Sequence, residues 1–235
     1  MSFADSTNPN SLASRLRRHR GVALKALISD LAGKRGEVEI LDMGGTFNYW
    51  RQIGLDFLAS VGAEVTVINL APDALAESDA ASGVLQGAVG DACDMPDVAD
   101  NQFDLAHSNS VIEHVQTWEN MKRFAAEIRR VARCYYVQTP YFWFPVDPHY
   151  YRFPLFHWLP RPTRARLLNA LPIAHSGRLL GVDAAFRVAD DARLLDRRQF
   201  TFLFPDAEQR FERVAGLAKS MIAIRGPEPG GPVQG

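Results

Sequence analysis

Polar residues and glycines follow several apolar runs of the sequence, at places where they could bind a ligand. The run that contains Ile40 and Leu41 is followed by Asp42, Gly44 and Gly45. Glycine lets the backbone turn sharply and approach a ligand closely, and the amides of such a turn can meet an anionic group at the start of a helix. The third glycine of a dinucleotide-binding turn is missing. The sequence therefore predicts a ligand loop at Gly44 and Gly45 that departs from that pattern.

Polar side chains also close the next apolar runs of the chain. Asn69 ends the second run, Asp91 follows the third, and Ser108 and Asn109 close the fourth. Amide, carboxylate and hydroxyl groups can exchange hydrogen bonds with the hydroxyls and amines of a ligand. If the runs are neighbouring parallel strands, their carboxyl ends meet at one edge of a sheet, where the ligands of such folds bind. The pattern therefore indicates one shared binding site.

The apolar runs alternate with amphipathic segments, and this alternation predicts a doubly wound α/β fold. Near-continuous apolar character, as in 63–70, is typical of a parallel strand covered on both faces, whereas the spacing in 118–132 favours a helix. The predicted strands are 37–42, 63–70, 84–89, 103–110, 134–139, 207–216 and 218–226. The predicted helices are 11–33, 51–62, 118–132, 161–171 and 197–204, with Ser11 and Asp196 as candidate caps of the first and last. The last two strands are expected to form an antiparallel hairpin at the sheet edge.

The order of these segments resembles that of the class I S-adenosylmethionine-dependent methyltransferases, in particular the small-molecule branch that includes quinone and natural-product methylating enzymes. The likeness runs through about residues 36–139 and returns in the closing helix and hairpin at 194–226. It implies a mostly parallel, seven-stranded Rossmann-like sheet whose last strand is antiparallel. It also implies S-adenosylmethionine as the cofactor, S-adenosylhomocysteine as the product, and no metal.

The expected domain organisation follows from the same reading. Residues 1–35 form an N-terminal helical segment, and residues 36–226 form one S-adenosylmethionine-binding domain with a lid insertion at about 140–190. The segment 227–235 is rich in proline and glycine, cannot bury apolar surface, and is expected to be disordered.

The resemblance assigns roles to the residues at the strand ends. Gly44 and Gly45 would approach the methionyl part of the cofactor. Asn69 stands where the family has an acidic residue for the ribose hydroxyls, so the charge-assisted part of that contact is lost. Asp91 would be a buried acceptor for the adenine amine, with the Ala92 amide available to a ring nitrogen. The predicted cofactor-binding residues are Asp42, Gly44, Gly45, Asn69, Leu70, Asp91, Ala92, Ser108 and Asn109.

The first turn departs from the GxGxG pattern of the family. Thr46 replaces one glycine, and Phe47, Tyr49 and Trp50 follow it. These aromatic side chains either form a floor under the cofactor or substrate or pack in the core, and the sequence leaves both readings open.

Methyl transfer from a sulfonium is an in-line displacement, so the enzyme mainly has to hold and align the two reactants. A hydroxyl acceptor also needs a general base, for which histidine is suited near neutral pH. His149 is the preferred candidate because Asp147 is close enough in sequence to orient it; His107 and His114 are alternates. Glu113 is predicted to be catalytic, to anchor its loop or to cap the next helix.

The stretch 140–162 is dense in aromatics and prolines and has no usable period, which predicts an irregular lid over the substrate. The interpretation is therefore a small-molecule methyltransferase that acts on oxygen. A protein that binds S-adenosylmethionine without catalysis is a second hypothesis, because the carboxylate is missing at Asn69.

Two further alternatives lack their motifs. A nucleic-acid amino-methylating enzyme would carry D/N-P-P-Y/F after the fourth strand, where this chain has "SNSVIE", and "TPYF" at 139–142 comes one strand too late. A nicotinamide-dependent oxidoreductase needs G-x-G-x-x-G, which "DMGGTFNYW" does not supply.

The composition limits the partners. The chain has 235 residues, of which 47% are hydrophobic, and a formal net charge of -1. Because the net charge is not positive, the protein as a whole is not expected to bind nucleic acid electrostatically. The basic runs "RLRRHR" and "RPTRAR" leave peripheral membrane contact open. The sequence contains no apolar stretch long enough to span a membrane and only two distant cysteines, so a cytoplasmic location and no structural metal are expected.

Overall fold

The computed structural model describes residues 12–75, 83–150, 153–173 and 179–227. The candidate cap Ser11 and almost all of the predicted tail, from residue 228 onward, lie outside the described residues.

Seven strands form one sheet in the order β3-β2-β1-β4-β5-β7-β6. The strands are β1 (Val38–Met43), β2 (Ala63–Asn69), β3 (Leu85–Val89), β4 (Phe103–Asn109), β5 (Ala132–Pro140), β6 (Glu208–Val214) and β7 (Leu217–Arg225). Strands β1 to β5 pair in parallel, whereas β7 runs antiparallel to both β5 and β6. The predicted fold class, a doubly wound and mostly parallel seven-stranded sheet, is confirmed.

The helices of the described residues are α1 (Leu12–Arg35), α2 (Phe47–Ile53), α3 (Leu55–Ser60), α4 (Trp118–Val131), α5 (Arg161–Ala170), α6 (Val182–Asp190) and α7 (Arg197–Leu203). The single helix predicted over 51–62 is wrong. Gly54 has φ +112 and separates α2 from α3, because this backbone conformation lies outside the helical region. Helix α6 had no counterpart among the predicted elements.

Helices cover both faces of the sheet. The residues of β1 alternate between two hydrophobic clusters, with Leu41 and Met43 in one and Val38 and Ile40 in the other. The first cluster contains the buried faces of α4 and α7, and the second contains those of α1, α2 and α3. Both faces of the central strands are therefore in the core, and ligands can reach only the strand ends.

Helix α4 shows how local sequence fixes one of these layers. The Thr117 side chain accepts a hydrogen bond from the Asn120 amide at 3.0 Å and caps the helix. Met121, Phe124 and Ile128 recur at helical spacing and are buried against the sheet. Helix α4 thus packs on the face of the sheet that includes β4, and the end of β4 carries polar residues of the site.

The chain between β5 and α7 forms a small helical unit of its own. We call residues 140–190 the lid. Its described part has a separate hydrophobic cluster that contains Tyr150, Phe156, Leu168 and Ala185. The aromatic stretch is therefore only partly irregular: many of its side chains form the core of the lid.

Among the described residues, no helix combines the length and the apolar composition that crossing a membrane requires.

Candidate active site

The turn after β1 requires its two glycines because other protein atoms close around it. Gly44 has φ +80, and its amide donates to the Ile68 carbonyl at 2.7 Å. A Cβ atom at Gly44 would lie 2.4 Å from Cγ1 of Val111, and one at Gly45 would lie 1.7 Å from Oδ2 of Asp42. The predicted approach of this turn to a ligand stays a prediction, whereas its close approach to neighbouring side chains is a feature of the structure.

Asp42 lies beneath the turn in a buried polar network. Its Oδ2 accepts a hydrogen bond from Nε1 of Trp50 at 2.7 Å, and its Oδ1 accepts one from Nδ1 of His107 at 2.7 Å. Nε2 of His107 is 3.2 Å from the hydroxyl of Tyr49. Because Asp42 is only 1% exposed and both of its oxygens are paired, it supports the turn from below.

The aromatic residues that follow the glycines pack in the core, which decides between the two readings of this segment. Phe47 and Trp50 are buried in the cluster under β1, and the Tyr49 ring stacks on His107 with ring centroids 4.9 Å apart. The link from Asp42 to His107 joins β1 to β4, two strands that are neighbours in space and far apart in sequence. Residue types alone gave no sign of this pairing.

Asn69 ends β2 and ties the glycine turn to it. Its Nδ2 donates to the carbonyl oxygens of Gly44, at 3.3 Å, and Gly45, at 3.0 Å. Its Oδ1 accepts from the amide of Ala71 at 3.0 Å. Both ends of the amide are therefore used within the protein, and an amide suits this place because a carboxylate cannot donate to two carbonyls.

We expect Asn69→Asp to weaken the protein although it restores the residue type of the family. The carboxylate would lose both donated hydrogen bonds and would face two carbonyl oxygens, so the free energy of unfolding should fall by about 1 to 3 kcal/mol. Urea denaturation measures this loss, and calorimetry with S-adenosylmethionine should show weaker binding. Tighter cofactor binding by the variant would instead mean that residue 69 acts mainly on the ribose.

The residues predicted around the adenine lie on the surface beyond β2 and β3. Asp91 is exposed, and its Oδ1 accepts from the amide of Cys93 at 2.8 Å. The short side-chain-to-backbone turn at Asp91 explains this exposure. Ala92 is half-buried, and Leu70 is 70% exposed. A ligand can reach all three positions, and their contacts with the cofactor stay predictions.

The end of β4 carries the remaining predicted cofactor residues. Ser108 is buried and donates through Oγ to the Met43 carbonyl at 3.2 Å, which joins β4 to the end of β1. Oδ1 of Asn109 is buried and has no hydrogen-bond partner among the described residues. A buried acceptor of this kind is uncommon and is a candidate for a hydrogen bond from a ligand.

Beyond β4, two histidines and a glutamate meet. Nε2 of His149 is 3.1 Å from Nε2 of His114, and Glu113, His114 and His149 offer ligand atoms that all lie within 4.8 Å of one another. Nδ1 of His149 donates to Oδ1 of Asp147 at 2.7 Å, which is the pairing expected from the sequence. Nδ1 of His114 donates to the carbonyl oxygen of Asp191 at 3.2 Å. The structure thus brings the preferred and the alternate base together, whereas His107 lies apart in the Asp42 network.

Glu113 is fully buried between β5 and the lid. Its Oε2 accepts from Oγ1 of Thr139 at 2.9 Å, and its backbone carbonyl accepts from the amide of Arg193 at 2.8 Å. Burial raises the pKa of the Glu113 carboxyl, although the charges of His114 and His149 oppose this effect. Glu113 therefore does anchor its loop, and it also presents a carboxylate to the two imidazoles.

The environment of His149 favours its protonated form. Burial lowers the pKa of the imidazole, but the hydrogen bond and the charge of Asp147, together with the charges of Glu113 and Asp191, outweigh burial and raise it. The neighbours of His149 thus make it a stronger base than an isolated histidine.

The lid contributes His149 to this cluster and exposes several aromatic rings. Nε1 of Trp158 and Nε2 of His157 both donate to the carbonyl of Phe142, at 2.9 and 2.8 Å. Trp143 is 58% exposed and Trp158 is 39% exposed, and their ring centroids lie 6.0 Å apart. An exposed aromatic pair offers apolar contact area to a ligand.

The fold and the site agree with the comparisons to known proteins. Residues 51–134 match a family model described as a methyltransferase domain. No curated protein matches the chain. A possible exported protein from Bordetella parapertussis is similar in structure, with 14% identity and a TM-score of 0.55 over 92% of this chain and 68% of that chain. A SAM-dependent methyltransferase from Methanosarcina mazei has 19% identity and a TM-score of 0.51 over 82% of this chain and 94% of that chain. At these identities the structural likeness concerns the fold alone.

The sheet order is that of a Rossmann-like methyltransferase fold, and the matched domain supports the likeness of this chain to the class I S-adenosylmethionine-dependent methyltransferases. The predicted resemblance is confirmed at this level, and S-adenosylmethionine is the cofactor of this class.

Proposed function

We propose that the protein transfers the methyl group of S-adenosylmethionine to a hydroxyl oxygen of a small-molecule acceptor. The observation that carries this proposal is the cluster of Glu113, His114 and His149 beyond β4, to which the lid contributes His149. The acceptor oxygen attacks the methyl carbon in line, the carbon–sulfur bond breaks, and the sulfur keeps the electron pair, which gives S-adenosylhomocysteine. Alignment in a site sheltered from water supplies much of the acceleration.

The hydroxyl proton needs an acceptor, and His149 is the base that we propose. Its contact with Asp147 holds the ring and stabilises the imidazolium that forms. His114 is the alternate, because its Nε2 faces the same point. These roles favour an oxygen acceptor over an amine acceptor, since an unprotonated amine needs no base before it attacks.

The cofactor contacts are proposed at the strand ends. The Gly44 and Gly45 turn would meet the methionyl group, Asn69 the ribose, and Asp91 and Ala92 the adenine. The further contacts proposed from the sequence are Asp42, acting from beneath the turn, and Leu70, Ser108 and Asn109. The buried, unpartnered Oδ1 of Asn109 supports its place in this set.

The lid supports a small aromatic or apolar acceptor rather than a nucleic acid. Trp143 and Trp158 present ring faces, while Arg161 of the basic run "RPTRAR" is already paired with Asp190. An arginine held by a carboxylate is less available to a phosphate. The free thiols Cys93 and Cys134 support our proposal of a cytoplasmic location, and contact with a membrane surface remains compatible with the basic runs.

One observation favours a second candidate, a protein that binds S-adenosylmethionine without catalysis. Both ends of the Asn69 amide are used inside the protein, so the ribose contact is weaker than in enzymes with an acidic residue there. Weak cofactor binding without turnover would fit this candidate.

Turnover with a labelled methyl group separates the two candidates. We expect saturable binding of S-adenosylmethionine by calorimetry and no binding of nicotinamide dinucleotides. With S-adenosylmethionine carrying a labelled methyl, a panel of phenolic, sugar and lipid-linked hydroxyl compounds should yield a labelled ether product and an equal amount of S-adenosylhomocysteine. Binding without any labelled product across the panel would favour the non-catalytic candidate, and label on nitrogen or carbon would contradict the hydroxyl acceptor.

A further inference from the structure

The two histidines of the site direct the same ring nitrogen at each other. Nε2 of His114 and Nε2 of His149 are 3.1 Å apart, although the two residues are 35 positions apart in the chain. The rings are nearly perpendicular, with an interplanar angle of 82°. They therefore do not stack, and their nitrogens converge on one point.

The opposite nitrogens of both rings must carry protons. Nδ1 of His114 faces the backbone carbonyl of Asp191, which can only accept a hydrogen bond. Nδ1 of His149 faces Oδ1 of Asp147, and this oxygen also accepts from the His149 amide at 2.9 Å. With protons on both Nδ1 atoms, the two Nε2 atoms face each other with their lone pairs whenever both rings are neutral. Such an arrangement repels unless something positively charged lies between the nitrogens.

Glu113 adds a carboxyl group at the same place. Its Oε1 is buried and has no hydrogen-bond partner among the described residues, and Glu113 as a whole is 0% exposed. A buried carboxylate oxygen without a partner is costly. The two Nε2 lone pairs and the Glu113 carboxyl oxygen are all electron donors, so together they form a site that suits a cation.

We propose that Glu113 Oε1, His114 Nε2 and His149 Nε2 bind a divalent first-row transition-metal ion. Two imidazoles and one carboxylate suit ions such as Zn²⁺, Co²⁺ or Mn²⁺, whereas Mg²⁺ and Ca²⁺ prefer oxygen ligands. The two Nε2 atoms are 3.1 Å apart. If the ion lay about 2.1 Å from each of them, the nitrogen–metal–nitrogen angle would be about 95°, which lies in the usual range for such metals. Three protein ligands leave positions open, as in catalytic sites.

The groups around the cluster already have the arrangement that metal-binding histidines require. Each imidazole donates its other N–H to an oxygen, His149 to the Asp147 carboxylate and His114 to the Asp191 carbonyl. These contacts fix the ring orientation and the protonation of each ring. Thr139 holds the second oxygen of Glu113 and leaves Oε1 for the ion.

The ion would also take part in the proposed methyl transfer, and this part of the inference rests on that proposed function. An acceptor hydroxyl bound at an open position would lose its proton to water more readily and would be held at a fixed point. The resulting alkoxide attacks the methyl carbon of S-adenosylmethionine, and sulfur keeps the electrons of the broken bond. His149 then acts as a ligand, and the metal replaces it as the group that activates the hydroxyl.

Metal binding can be tested without cofactor or acceptor. Protein stripped with a chelator should bind one Zn²⁺ or one Co²⁺ per chain by calorimetry, and Co²⁺ should give d–d absorption bands of a site with nitrogen ligands. Glu113→Gln, His114→Ala and His149→Ala should each lower the affinity. Asp147→Asn, which perturbs only the orientation of His149, should lower it by about 10- to 100-fold.

A matched control keeps the test independent of folding. His157→Gln changes another buried histidine of the lid, which donates to the Phe142 carbonyl outside the cluster, and should bind Co²⁺ like the unmodified protein. Circular dichroism should show that Glu113→Gln keeps the fold. The inference is overturned if the stripped protein binds no ion, or if Glu113→Gln and His157→Gln bind it equally; a proton then lies between the two imidazoles. Cofactor binding measured in the presence of chelator reports separately on the proposed function.

Discussion

Replacing Asp42 with alanine is expected to lower the free energy of unfolding by about 2 to 6 kcal/mol, because two buried donors would each lose their acceptor at about 1 to 3 kcal/mol apiece. The donors are Nε1 of Trp50 and Nδ1 of His107, both 2.7 Å from the carboxylate. Since whole domains are stable by only about 5 to 15 kcal/mol, a loss of this size would be evident in urea denaturation.

Asp42→Asn is the matched control for this prediction. The amide oxygen can still accept from Trp50, and the amide nitrogen can donate to Nδ1 of His107 if the imidazole moves its proton to Nε2, which faces the Tyr49 hydroxyl. The loss should therefore be clearly smaller than with alanine. Equal losses for the two variants would mean that the charge of Asp42 matters more than its two hydrogen bonds.

Gly45→Ala is expected to cost about 3 kcal/mol or more of unfolding free energy, at the upper end for overpacking a core. The new Cβ atom would lie 1.7 Å from Oδ2 of Asp42. Asp42 cannot move away without breaking its hydrogen bonds to Trp50 and His107. We expect the variant to bind S-adenosylmethionine more weakly as well, since the turn would have to shift.

Two comparisons test the cause of this loss. Gly33→Ala, within α1, should stabilise the protein by about 0.5 to 1 kcal/mol, because no atom lies within 4 Å of its new Cβ and alanine suits a helix better. In an Asp42→Ala background, Gly45→Ala should cost little, since the obstacle is gone. Strict additivity of the two changes would show that the strain comes from elsewhere.

The parts of the fold that the sequence could predict are those governed by local pattern. Period-two and continuous apolar runs located all seven strands, and the helical spacing of Met121, Phe124 and Ile128 located α4. The pairing of His149 with Asp147 was also accessible, because the two residues are only two positions apart. Asp196 caps α7 as expected, with Gln199 completing the capping box.

The rest depended on contacts between distant segments or on backbone conformation. The split at Gly54 follows from a positive φ that apolar periodicity does not report. The pairing of Asp42 with His107 spans 65 positions, and the approach of His114 to His149 spans 35. Neither has a spacing signature. The hydrogen bond from the Cys93 amide to Asp91, by contrast, is local, since the two residues are only two positions apart.

The segment 191–195, which directly follows the lid, contacts the loop that carries Glu113 and His114. The Arg193 amide donates to the Glu113 carbonyl, the Asp191 carbonyl accepts from His114, and Tyr141 pairs with Leu195. Exchange of the lid with that of another enzyme, made to alter acceptor preference, would therefore also disturb the ring orientation of His114. A design that alters the lid should therefore keep residues 191–195 in place and change only exposed side chains such as Trp143 and Trp158.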